Sequence, residues 1–203
     1  YGTINAKDGN VFLVNTAGTL IGKSASINVG SLYVSNKKMG TEDFAKFHQD
    51  GQTINGTLTN SQMMSLGHIT DNKITFEGDR VVLDIDKVKG VEKVAPDVDI
   101  RSKNVDDVVI GYTAYNKDNK TYAGKDKEFT IKKIAADGTV TDSKIKGYMW
   151  VDDIDQLQAM NTNLSGNYAL RDSIDASTTS VNKNFISIGN TANAFTGKLD
   201  GLY

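Results

Sequence analysis

Between residues 2 and 35 no apolar stripe reaches helix length. The apolar runs there are 11–14, 20–21, 27–29 and 32–34, separated by Gly, Asn, Ser and Asp. Runs this short, bounded by turn formers, read as strands of a few residues each. Such strands cannot bury themselves in an isolated hairpin. They can when each turn of the chain stacks on the next, so the spacing predicts stacked coils, one over 2–18 and the next over 19–35.

The rest of the sequence is compatible with stacking. The single proline, Pro96, stands against 19 glycines, and stacked strands need their N–H groups for the ladder. There is no cysteine, which does not argue against an extracellular chain, because rung-to-rung hydrogen bonds do the work of disulfides. A net charge of −2 supplies no basic field for nucleic acid, and no partner of that kind is expected. No run approaches the ~20 apolar residues of a membrane-spanning helix.

Strand alternation resumes at 52–59, 65–70, 73–78 and 80–86. Residues 41–47 read as one helical turn or a loop, with Thr41 as a candidate N-cap. Residues 87–147 are more charged and lose the rung-length spacing. Strand candidates there are 108–115, 128–134 and 139–141, around the turns 116–119 and Asp137-Gly138, and an Asp-Gly pair between alternating runs signals a hairpin. This predicts an antiparallel β insertion. Residues 152–160 carry the clearest helix, with Asp152, Asp153 and Asp155 at its N-terminus and Ile154 and Leu157 on one face. The resulting expectation is a mainly β chain, a right-handed parallel β-helix with a β-rich insertion and one short α-helix. Its parts are 1–86, 87–147 and 148–203.

Two stretches resemble known families. Gly2, Ile4, Ala6, Gly9, Val11, Phe12, Leu13, Asn15, Gly18, Gly22, Ala25, Asn28, Val29, Gly30, Leu32 and Ser35 follow, in order, the pattern of the secretion domain of two-partner-secretion exoproteins. These are the filamentous-haemagglutinin group of large Gram-negative adhesins. The family's Asn-Pro-Asn-Gly turn reads Asn15-Thr16-Ala17-Gly18 here. The pattern is already under way at Tyr1, which implies an internal fragment. Within 148–203, Leu157, Gly166-Asn167-Tyr168, Leu170, Ile174-Asp175-Ala176, Phe185, Ile188-Gly189, Phe195, Gly197 and Asp200-Gly201 are similar, in order, to the GLUG-like module of bacterial surface β-helix proteins. Together the resemblances imply a secreted, cell-surface adhesin. Its partners would be an outer-membrane transporter, whose periplasmic POTRA domains recognise the secretion region, and a host or bacterial receptor or glycan. A structural stalk of a toxin-delivery filament and a glycan-active β-helix enzyme are the alternatives.

The chemistry-bearing residues point to no enzyme. His48 and His68 lack any zinc-type spacing. Gly22-Lys23-Ser24 lacks the first glycine of a P-loop, and no Gly-x-Ser-x-Gly elbow occurs. Acidic pairs such as Asp84/Asp86, Asp97/Asp99 and Asp172/Asp175 are expected in a chain with 24% charged residues. No catalytic residue, metal ligand or cofactor is therefore expected. The candidate functional positions are the turn Asn15, Thr16, Ala17 and Gly18, with Tyr112, Tyr115 and Tyr122 as aromatics open to a ligand or packed on a hairpin face.

Overall fold

The computed structural model describes residues 2–91, 95–122, 126–177, 179 and 184–202. The chain is mainly β. In chain order the first strands are β1 (Thr3–Val14), β2 (Thr19–Ile21), β3 (Ser26–Ser35) and β4 (Lys37–Lys38), followed by helix α1 (Thr41–Asp50). Then come β5 (Thr57–Leu58), β6 (Gln62–Ser65), β7 (His68–Thr70), β8 (Lys73–Gly78), β9 (Arg80–Asp84), β10 (Val88–Lys89) and β11 (Asp97–Ser102). Next are β12 (Val109–Tyr112), β13 (Tyr115–Asn116), β14 (Thr121–Tyr122), β15 (Glu128–Ile134) and β16 (Val140–Lys146). The last elements are β17 (Tyr148–Val151), α2 (Ile154–Ala159), β18 (Asn167–Leu170) and β19 (Lys198–Asp200). The chain divides into two compact units, one of Tyr1–Val108 with Thr130–Ile145, the other of Val109–Phe129 with Lys146–Tyr203.

In the first unit β3 has both edges filled. Ser26 faces Thr3 of β1 on one side and His68 of β7 on the other. Farther along, β3 pairs β8, and β7 and β8 pair in turn with β10 and β11, all in parallel. The ladders align like residues: Val11–Leu32–Ile74–Val98 is one row and Leu13–Val34–Phe76–Ile100 another. Val34, Ile74 and Phe76 are fully buried. A second parallel set, β2–β6–β9, brings Met63, Val81, Val82 and Leu83 into the interior. Paired residues lie farther apart in sequence than the 17 residues expected: Thr3 faces Ser26 and Asn10 faces Ser31, with β2 between β1 and β3 pairing in the second set.

Three expectations are corrected. Residues 87–147 are not a wholly antiparallel insertion, since β11 lies parallel on β8 and β12 lies parallel on β17. Among the described residues of that range, the β13–β14 pair and the β15–β16 hairpin run antiparallel; the hairpin closes at Asp137-Gly138, where Gly138 N–H bonds the Ala135 carbonyl. Among the described residues α1 joins α2 as a second α-helix, because 41–50 completes a helix rather than a single turn. Its N-cap is Gly40, not Thr41: the Gly40 N–H donates to Asp43 Oδ2 at 3.2 Å. Glu42 and Asp43 occupy its first turn, and Gly51 closes it in the left-handed region at φ 63°.

The second unit stacks β12, β17, β18 and β19 in parallel. Its core holds Trp150 and Tyr168, at most 1% exposed. Trp150 fits because its cross-strand neighbourhood includes Gly111; a Cβ there would lie 2.0 Å from the indole ring. Helix α2 starts as the acidic run predicted, with Asp153 Oδ1 accepting from the Gln156 N–H at 2.8 Å.

Two stability measurements check this packing. Gly111→Ala forces the Trp150 ring aside and lowers stability by more than the ~1–3 kcal/mol of ordinary overpacking, whereas Gly40→Ala on the open helix cap shifts the urea midpoint far less. Asp71 is fully buried, and burial raises its carboxyl pKa despite hydrogen bonds from the Lys73 and Asn72 N–H groups. A raised carboxylate pKa weakens the fold as pH climbs from the unfolded value to the folded one. Asp71→Asn is therefore expected to raise the urea midpoint at pH 7 and to leave it unchanged at pH 3.

Candidate functional site

The first predicted position is a built turn. Asn15 Nδ2 donates to the Gly18 carbonyl at 2.7 Å, and the Ala17 N–H donates to Asn15 Oδ1 at 3.1 Å. Gly18 N–H returns to the Asn15 carbonyl. Gly18 sits at φ 104°, and a Cβ there would press to 2.8 Å from the Gln62 carbonyl oxygen. Asn15 and Gly18 are thus the residues the turn requires, while Thr16 and Ala17 contribute backbone: the Thr16 carbonyl accepts from Thr59 Oγ1 at 2.7 Å.

Of the three tyrosines, Tyr112 and Tyr122 are each 3% exposed, in keeping with the packed alternative of the expectation, and Tyr115 is half-buried. Tyr122 donates its hydroxyl to the Trp150 carbonyl at 2.8 Å and packs edge-on to Tyr168 at 5.0 Å. Tyr115 leans on Tyr122 at 5.5 Å, across the β13–β14 pair. Burial foremost, then neighbouring charges, pushes the Tyr122 phenol far above its usual pKa. The alternation that suggested a hairpin face was sound; the side of the hairpin that carries the rings is the inner one.

Elsewhere among the described residues of the first unit lies an open concavity. It is a cleft of about 950 Å³ on the outer face of the parallel sheet. Alternation puts every second residue of each strand outward, and parallel register lines these up across strands. One outward row is Asn10, Ser31, Lys73 and Asp97; the next is Phe12, Tyr33, Thr75 and Asp99. A third runs Ser35, Glu77, Arg101 and Lys132, carrying the floor from β3 to β15. Gln52 and Ile54, just after α1, stand at one wall, and Thr130 and Asp142 of the β15–β16 hairpin at the other.

The third row runs under the wall. Glu77 is 1% exposed, accepts a hydrogen bond from the Tyr33 hydroxyl and pairs with Lys37 Nζ at 2.8 Å. Lys37 Nζ also donates to the Ile54 carbonyl at 3.1 Å, so one ammonium ties the floor carboxylate to the wall. Burial, then the Glu77 charge and hydrogen bond, drives the Tyr33 phenol far above its usual pKa, so it stays a donor. Asp50 fixes the loop behind the wall through the Gln52 and Thr53 N–H groups, both at 2.8 Å. Its pKa is lowered chiefly by the Thr53 hydroxyl.

Six charged side chains line the open part. Arg101 grips Asp99 Oδ2 through Nε at 2.9 Å and Nη2 at 2.6 Å. Lys132 reaches Asp142 Oδ1 across the hairpin at 3.0 Å. Lys73 and Asp97 face each other in register and, among the described residues, neither forms an ion pair. Among the described residues no group of three or more His, Cys, Asp or Glu side chains converges to hold a metal. Of these groups the sequence singled out only the Asp97/Asp99 pair. The missed signal was parity: Lys73-x-Thr75-x-Glu77 and Asp97-x-Asp99-x-Arg101 share one face of two strands.

Compared with protein-family models, curated proteins and solved structures, the chain matches none.

The Lys37–Glu77 bridge yields a stability prediction. Lys37→Met leaves a buried carboxylate without its cation and is expected to cost about 3 kcal/mol in urea denaturation. Adding Glu77→Gln keeps an acceptor for Tyr33, removes the stranded charge and recovers part of that loss.

Proposed function

We propose that this chain is a segment of a large secreted exoprotein of the Gram-negative cell surface, exported by two-partner secretion and serving in adhesion. Its strands would wind as a right-handed parallel β-helix. What carries the reading is the coincidence of two independent features on one stretch. Residues 2–35 follow the secretion-domain pattern in order, and the same residues form parallel-paired strands joined by a turn that depends on Asn15 and Gly18.

The physical mechanism follows from the ladders. A strand such as β3 satisfies its backbone groups only when a neighbour lies along each edge. During export an extended chain would meet the transporter's periplasmic domains by strand addition. Outside, each completed coil offers an edge on which the next pairs, so folding propagates in one direction along the chain.

One observation favours a second reading, a glycan-active enzyme. Asp97 and Asp99 stand two residues apart on one strand, ~6.6 Å along it, in a cleft that also holds Asp142. Paired carboxylates at such separations hydrolyse glycosidic bonds. Against it, Arg101 and Lys132 already engage Asp99 and Asp142. Release of reducing ends from an oligosaccharide, abolished by Asp97→Asn, would establish the enzyme and displace the adhesin.

The export reading is checked by expressing the chain behind a signal peptide in a Gram-negative host, with and without a co-expressed outer-membrane transporter of the two-partner type. The protein is expected in the medium only with the transporter, and Gly18→Val, which breaks the turn, is expected to cut that yield several-fold. Equal retention in both strains overturns the proposal.

A further inference from the structure

The geometry points to the sheet-floored cleft of the first unit as a binding site for a neutral oligosaccharide. The inference deepens the adhesive half of the reading above and rests on it, but not on the route of export.

Charge balance selects the ligand class. Lys73, Arg101 and Lys132 oppose Asp97, Asp99 and Asp142, three cations against three anions within one concavity. A polyanion such as nucleic acid or a polyuronate would meet three carboxylates with no cationic surplus to offset them. A polycation meets the mirror-image problem. A peptide adding as a strand needs a free sheet edge, and the floor is a face whose central strands have both edges paired.

A sugar chain needs what the floor offers. Vicinal hydroxyls each donate and accept, so they suit donors and acceptors set side by side. Lys73 and Asp97 provide such a pair in register. Arg101 bonds only Oδ2 of Asp99, so Oδ1 stays an acceptor on a carboxylate already held in place. Asn10, Ser31 and Gln52 add neutral groups. The apolar face of a pyranose needs an aromatic surface. Phe12 and Tyr33 lie with centroids 6.0 Å apart and planes tilted by 35°, and Phe47 of α1 supports Phe12 edge-on at 5.1 Å. Tyr33 is immobilised by Glu77 beneath it. Because the polar rows repeat at every strand, a polymer of like units finds comparable partners at successive positions, which favours an oligosaccharide over a single sugar.

Titration calorimetry of the purified chain tests this, with cellohexaose, chitohexaose, mannohexaose and hexagalacturonate as probes. Saturable binding of at least one neutral hexasaccharide is expected, with weaker or no binding of the uronate. Lys73→Ala and Asp97→Ala remove exposed side chains that form no ion pair among the described residues, and each is expected to weaken binding about tenfold, the worth of one or two hydrogen bonds. Lys7→Ala, outside the cleft, should leave affinity unchanged, and thermal melts confirm that all three variants fold. The inference is overturned if no neutral probe binds, if hexagalacturonate binds more tightly than every neutral probe, or if both cleft variants bind like the parent. A chain that binds sugar but is not exported overturns the export reading alone; one that is exported but binds none of the neutral probes overturns this inference alone.

Discussion

Backbone hydrogen bonding along the edges of β3 is the constraint on which the first unit depends. The strands here are short, and β2, β7 and β10 have only two or three residues each. None could stand alone, because the entropy of ordering a few residues exceeds what one short ladder returns. Parallel pairing resolves this at a distance. Each strand borrows partners from chain tens of residues away, and the side chains then stack like on like, Leu13 on Val34 on Phe76 on Ile100. Parallel neighbours require long connections, and in this chain the connections supply the second strand set through β2, β6 and β9.

The sequence made the local structure legible where punctuation was strong. Asn15 and Gly18, the Asp137-Gly138 hairpin and the Asp153 cap were all readable, because each is decided by residues within three or four positions. The sequence distance between paired strands was not readable. Thr19, Leu20 and Ile21 look like any other short strand, and nothing local says that they pair with Met63, Met64 and Ser65 rather than with the strand before them. The cleft was hidden for the same reason. Lys73 and Asp97 become neighbours only once β8 and β11 are in register. The choice between the two alternatives for Tyr122 was not readable either, because it is settled by Trp150 and Tyr168, far along the chain.

Charge is handled in two ways in the first unit. At Glu77 a buried carboxylate is surrounded by Lys37 and the Tyr33 hydroxyl, whereas the buried Asp71 is held by backbone N–H groups and its pKa is raised. Where it faces solvent, pairing is partial, and exposed pairs such as Lys132–Asp142 add little to stability. The exposed charges of the outer face can therefore change at small cost to the fold, while Glu77 and Lys37 beneath the wall cannot be changed singly.

The excursion between β3 and β8 has an evolutionary corollary. It makes room for α1, yet Ser31 still meets Lys73 and Val34 still meets Phe76. Lengthening a connection costs conformational entropy that grows only with the logarithm of its length, and the ladder re-establishes register on the far side. A scaffold of this kind accepts inserted segments as modular appendages. The same sheet could acquire a different rim, and with it a different specificity, through the lengths of its connections alone, without altering a residue of its interior.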